Sequence, residues 1–124
     1  MTTKILIADD EPNILISLEF LMKREGYEVH LARDGQEALD ALRREHPRLV
    51  LLDVMMPNKT GFEVCQEVRN DDSLRSTLIL MLTAKGRETD IVKGLAMGAD
   101  AYMTKPFSTR ELVQKVRGML EATP

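Results

Sequence analysis

Two stretches, Lys4-Ile5-Leu6-Ile7-Ala8-Asp9-Asp10-Glu11 and Leu49-Val50-Leu51-Leu52-Asp53, decide how this chain folds. In each, a short continuous apolar run ends in carboxylates and leads into a helix-forming segment. Runs of this length without polar alternation read as strands buried on both faces, which is the pattern of a parallel sheet. Ligands of open parallel sheets bind outside the carboxyl ends of the strands. If the two strands are neighbours, Asp9, Asp10 and Asp53 converge there. Three like charges raise one another's pKa values unless a cation neutralises them. A hard dication with oxygen ligands, Mg²⁺ above all, meets that need.

Outward from these stretches the chain alternates regularly. Apolar β-like runs fall near Lys4–Ala8, Tyr27–Ala32, Leu49–Leu52, Leu78–Leu82 and Ala101–Thr104. Helical stretches follow near Pro12–Glu25, Gln36–Glu45, Phe62–Asn70, Glu88–Met97 and Thr109–Glu121. The punctuation agrees with this division: Pro12 suits a first helical turn, Gly26 and Gly98 suit helix ends, Gly35 opens the second helix, and His46-Pro47 closes it. Five βα units predict an α/β fold, a doubly wound five-stranded parallel sheet with five helices, as one domain over residues 1–124. On the first helix Ile14, Leu18 and Leu21 form the stripe expected to face the sheet. Ile16 and Phe20 fall on the far side, as a contact for a partner helix would. The last four residues, 121–124, read as a frayed end.

Composition narrows the class. A chain of 124 residues with 44% apolar and 30% charged residues is of ordinary globular type and long enough for a complete core. A net charge of −3 argues against direct nucleic-acid binding. The single cysteine, Cys65, excludes an intrachain disulfide and suits a reducing compartment. Its spacing from Phe62 and Val68 places it on a buried helix stripe. No run approaches the roughly 20 apolar residues that a membrane span needs, so a cytoplasmic protein is expected.

Two more strand ends reach the same edge, one at Thr83-Ala84 and one at Lys105-Pro106. A carboxylate beside Mg²⁺ can attack phosphorus, because the metal screens the incoming anionic phosphoryl group. The Lys105 ammonium can pair with one phosphoryl oxygen, and the Thr83 hydroxyl can donate to another. Each residue alone is unremarkable, since Asp after a strand is a common turn residue and a lone lysine is usually solvated. Their convergence at four strand ends makes a phosphoryl-accepting site.

The pieces Ile7-Ala8-Asp9-Asp10-Glu11, Leu51-Leu52-Asp53-Val54-Met55-Met56-Pro57, Thr83-Ala84 and Tyr102-Met103-Thr104-Lys105-Pro106-Phe107, with Gly61, Gly94 and Gly98-Ala99-Asp100, together resemble the receiver domain of two-component response regulators. The resemblance covers essentially the whole chain. It implies the flavodoxin-like strand order 2-1-3-4-5 of the chemotaxis regulators and a phosphoryl switch that modifies itself without being a turnover enzyme. By resemblance Asp53 is the phosphoacceptor, Asp10 binds Mg²⁺ directly, Asp9 acts mainly through water, and the Met55 backbone carbonyl completes the ligands. Lys105, Thr83 and the Ala84 N–H would bind the phosphoryl group. Thr83 and Tyr102 would form the switch that re-shapes the face of helix four, strand five and helix five. The Lys105-Pro106 bond is expected to be cis, which only an X-Pro bond makes cheap. The implied partners are a sensor histidine kinase or histidine phosphotransfer protein and a downstream protein, with the chain a monomer or weak dimer.

Departures from the family pattern carry expectations too. Thr60 stands where an Asp usually precedes the glycine and is expected to change a loop hydrogen bond only. Met55 and Lys85 flank the family's path of hydrolytic water and are expected to tune phosphoryl lifetime. Ile91 and Ala101 replace a basic and an acidic residue of the winged-helix regulators' dimer, although Glu111 and Lys115 remain. A receiver that works alone is the leading expectation, and one excised from a longer regulator or hybrid kinase is the alternative. An aspartate-nucleophile phosphohydrolase would want an Asp-x-Asp pair on the first strand and a substrate-covering cap. A flavodoxin-like flavin binder would need a phosphate loop where Asp9-Asp10-Glu11 would repel the phosphate.

Overall fold

The computed structural model of the protein describes residues 2–84 and 86–122. Strands β1 (Lys4–Ala8), β2 (Glu28–Ala32), β3 (Leu49–Asp53), β4 (Leu78–Ala84) and β5 (Ala101–Lys105) alternate with helices α1 (Pro12–Arg24), α2 (Gly35–Glu45), α3 (Gly61–Asn70), α4 (Glu88–Ala96) and α5 (Thr109–Ala122). The strands form one sheet in the order β2-β1-β3-β4-β5, with every pairing parallel. This is the flavodoxin-like doubly wound architecture expected from the sequence.

Alternation along the strands splits the core into two layers. Leu6, Ala8, Val50, Leu52, Ile79 and Met81 pack with α2 and α3 on one face. Ile5, Ile7, Leu49, Leu51, Leu80 and Leu82 pack with α1 and α5 on the other. Both faces of β1 and β3 are covered, which explains why these strands read as unbroken apolar runs. Cys65 is fully buried in the first layer, where its thiol donates to the Met97 carbonyl at 3.4 Å.

Three strands end later than their apolar runs suggest. Parallel pairing continues through Asp53↔Leu82 and Ala84↔Lys105, so the polar residues at these ends are themselves strand residues. A carboxylate or ammonium held by ladder hydrogen bonds is more rigidly aimed than one on a loop. The α1 stripe also differs from the sequence reading. Leu15, Leu18, Leu21 and Met22 are buried, while Ile14 is only half-buried at the rim of the core. The helix packs on β1, β2 and α5, where Leu15 and Met22 take the central places and Ile14 the margin. Ile16 and Phe20 are 64% and 66% exposed, as their position on the wheel predicts.

Local chemistry sets the helix ends near the site. Thr60 caps α3 in a capping box: its hydroxyl accepts from the Glu63 N–H at 3.2 Å, and the Glu63 carboxylate accepts from the Thr60 N–H at 3.0 Å. The departure at this position thus falls on the start of α3. Thr60→Ala is expected to lose about 1 kcal/mol of stability in urea unfolding, and Thr60→Asp to lose little. Asp34 caps α2 by accepting from the Glu37 N–H and also holds Asn58 at 2.8 Å, tying the β3–α3 loop to the start of α2.

Candidate functional site

At the carboxyl edge of the sheet the ends of β1, β3, β4 and β5 follow one another in that order. Asp9 is fully buried, and both of its oxygens are engaged. One accepts the Glu11 backbone N–H at 2.9 Å, and the other accepts Lys105 Nζ at 2.9 Å. Lys105 reaches onward to Asp53 Oδ1 at 3.4 Å, so a single ammonium on β5 links the residue that follows β1 to the last residue of β3. Asp10 stands exposed beside them. Carboxylate oxygens of Asp9, Asp10 and Asp53 all lie within 4.8 Å of one another. The sequence-predicted cluster is therefore physically assembled.

The electrostatics are unbalanced toward negative charge. Burial pushes the Asp53 carboxyl up to about 6, and the Asp9 charge adds to that push against the opposing pull of Lys105. Like-charge repulsion, the cause anticipated from sequence, ranks second to desolvation. Burial acts to lower Lys105, but its hydrogen bond to Asp9 and the charges of Asp53 and Asp9 outweigh this and raise it above the ordinary lysine value. Three carboxylates thus face one ammonium.

That donor set suits a hard dication: every candidate ligand is oxygen, the charge excess is anionic, and Asp10 is open to solvent. A second close group, Glu28, His30 and Glu45, offers a mixed donor set. There Glu45 already binds Lys4 at 3.3 Å and Arg44 at 2.9 Å, so its charge is largely met. The Asp9–Asp10–Asp53 cluster is the stronger candidate for Mg²⁺.

Beside the cluster opens a cavity of about 270 Å³ lined by Asp10, Glu11, Asp53, Val54, Met55, Ala84, Arg87, Asp90 and Lys105. Met55 is exposed at its lip. Thr83 is buried and does not line this cavity; its hydroxyl donates to the Met103 carbonyl over a long 3.5 Å. Tyr102 is 42% exposed and faces a groove with Glu111, Gln114 and Lys115. The Lys105-Pro106 peptide bond is cis. Lys85, anticipated to act opposite Met55, lies outside the described residues. Arg87 and Asp90 were missed by sequence reasoning, although an Arg and an Asp three residues apart at a helix start are a recognisable pair.

A family model described as the response regulator receiver domain matches residues 5–117. Among solved structures, a Chloroflexus aurantiacus protein described as a response regulator is 35% identical, with a TM-score of 0.93 over 98% of this chain and 99% of that one. The chemotaxis response regulator CheY4 of Vibrio cholerae is 33% identical, with a TM-score of 0.88 over 94% of this chain and 98% of that one. The signal receiver domain of a histidine kinase from Syntrophus aciditrophicus is 30% identical, with a TM-score of 0.91 over 98% and 92% of the two chains.

Proposed function

We propose, from the premise that this chain belongs to the response regulator receiver domain family, that it is a phosphorylation-activated switch with Asp53 as its phosphoacceptor and residues 1–124 as one receiver unit. The observation that carries the assignment is the Lys105 ammonium seated between Asp9 and Asp53 at the head of a three-carboxylate cluster. An Asp whose pKa lies near 6 is ionised at neutral pH yet more basic than an ordinary carboxylate, which suits a nucleophile.

In the transfer, an Asp53 oxygen forms a bond to phosphorus as the P–N bond of a phosphohistidine breaks. The freed imidazole keeps the bonding pair and takes up a proton. With a small acyl phosphate donor the P–O bond breaks instead, and the carboxylate leaves. When bound, Mg²⁺ supplies the positive charge that offsets the approach of two anions. Asp10, Asp53 and the Met55 carbonyl would hold it directly. Asp9 would act through water, since both of its oxygens already have partners. Lys105 turns from Asp53 to a phosphoryl oxygen, while the Thr83 hydroxyl and the Ala84 N–H donate to the others.

The same contacts drive the switch. The long Thr83–Met103 hydrogen bond is a weak anchor that a phosphoryl oxygen can outcompete. Thr83 moving toward Asp53 vacates space into which Tyr102 turns, changing a face that also exposes Val92 and Leu95 of α4. Phosphorylation shifts the population only by the contacts made in the active arrangement. The donor is a sensor histidine kinase or histidine phosphotransfer protein, and the output is a change in binding to a downstream protein, all in the cytoplasm. The exposed Ile16 and Phe20 of α1 fit a contact with a partner helix. Among the described residues, no helix is long and apolar enough to cross a membrane.

Intact-mass measurement after incubation with acetyl phosphate tests the assignment. A gain of one phosphoryl group that requires Mg²⁺ and is lost in Asp53→Asn is the expected result. A gain that persists in Asp53→Asn, or none in the native chain with acetyl phosphate or a phosphorylated histidine phosphotransfer protein, would overturn it.

A further inference from the structure

The proposed chemistry leaves one cation of the cavity without a task. Arg87 is the N-cap residue of α4, but its side chain makes no cap hydrogen bond. Instead its guanidinium forks onto Asp90, with Nε 3.0 Å from Oδ2 and Nη2 3.3 Å from Oδ1. Both residues line the cavity that holds Asp10, Asp53, Met55, Ala84 and Lys105. The Asp90 side chain is only 11% exposed and that of Arg87 is 51% exposed, so the arginine can move while the carboxylate stays in place.

Charge and geometry favour a second position for this guanidinium. A phosphoryl group on a carboxylate carries up to about two negative charges near neutral pH, against one on Asp90. It presents several strong acceptor oxygens, and a planar guanidinium fork matches two of them. Lys105 is a point charge already shared between Asp9 and Asp53 and cannot balance the added charge alone. Releasing Asp90 leaves a largely buried carboxylate, a cost that its place in the first turn of α4 offsets in part, because the helix dipole there favours a negative charge.

We propose that Arg87 is a second phosphoryl-binding residue, held on Asp90 while Asp53 is free and transferred to the phosphoryl group once Asp53 is modified. The inference rests on the reading of Asp53 as phosphoacceptor and deepens it. It also joins the modified site to the start of α4 through a side chain independent of Thr83 and Tyr102. The competing account is a surface ion pair between residues three apart, which steadies the helix start and does nothing more.

The two accounts differ in sign. Binding of beryllofluoride, a phosphoryl mimic on carboxylates, is followed by ¹⁹F NMR with Mg²⁺ on the native chain, Arg87→Ala, Arg87→Lys, Asp90→Asn and the double variant Arg87→Ala/Asp90→Asn. Arg87→Ala is expected to weaken binding about tenfold, the low end for a hydrogen bond to a charged group. Arg87→Lys, which keeps the charge and loses the fork, should fall between. Asp90→Asn frees the guanidinium and should tighten binding about threefold, an effect that disappears in the double variant. An ion pair of purely structural role would move both single variants in one direction or neither, and that result overturns this inference alone. Absence of any beryllofluoride signal on the native chain overturns the assignment of Asp53, and the role of Arg87 with it.

Discussion

Asp53→Asn is expected to be more stable than the native chain at pH 7 without Mg²⁺, and to lose its pH dependence between about pH 4 and 6. Asp53 is 8% exposed, and its carboxyl is raised from 3.8 to about 6. At about 1.4 kcal/mol per pH unit this corresponds to about 3 kcal/mol. The sign follows from which state ionises first. Below pH 4 the carboxyl is protonated in both states and no penalty arises. As pH rises toward 6 the unfolded chain ionises while the folded one keeps its proton, so stability falls. Above 6 the penalty is complete. Asn removes this penalty, from which the opposing pull of Lys105 is already subtracted, for a net gain of about 3 kcal/mol, or roughly 9 °C in melting midpoint. Millimolar Mg²⁺ should raise the native midpoint more than that of Asp53→Asn, because binding to the folded state alone stabilises it. Equal midpoints and equal pH slopes in calorimetric scans of the two proteins would show that Asp53 is not strained by its surroundings.

Gly61→Ala should cost about 3 kcal/mol, with slower acetyl phosphate labelling of whatever remains folded. A Cβ at Gly61 would run into the Asp53 carbonyl oxygen and lie 3.0 Å from Val54 Cα. These are backbone atoms of the strand end that presents Asp53, so no rotamer relieves the contact, and the strand or α3 must move. The Gly61 N–H also donates to the Val54 carbonyl at 2.8 Å, fixing the close approach. Gly118 in α5 is the matched control. Nothing lies within 4 Å of its added Cβ, and Gly118→Ala should gain about 0.5–1 kcal/mol from helix propensity. Urea unfolding of both variants decides the matter; a Gly61→Ala chain as stable as the native one would mean the loop yields freely.

Much of the fold was legible because its signals are local. The apolar runs Ile5–Ala8 and Leu49–Leu52 identify buried strands by length and lack of alternation, and His46-Pro47 and Gly98 mark helix ends through backbone chemistry. The strand order was supplied by the family resemblance, since five βα units alone permit several orders. Candidate site residues were legible for the same reason: Asp9, Asp10, Asp53, Thr83 and Lys105 each stand at the end of an apolar run, and a parallel sheet puts such ends on one edge.

The sequence by itself thus determined the alternation of elements and the edge at which its carboxylates and lysine collect, because periodicity and punctuation act within a few residues. Only the tertiary structure decided how those groups meet. The Lys105 ammonium finds Asp9 across 96 residues and Asp53 across 52. Desolvation, set by the packing of both core layers, outweighs charge repulsion at Asp53. The ladder carries Asp53 and Lys105 into the strands themselves, and the approach of α3 to β3 requires a residue without a Cβ. Whether Arg87 faces solvent or the cavity depends on how α4 docks on β4. Distances, burial and orientation of this kind come from contacts between residues far apart in the chain, and no local pattern encodes them.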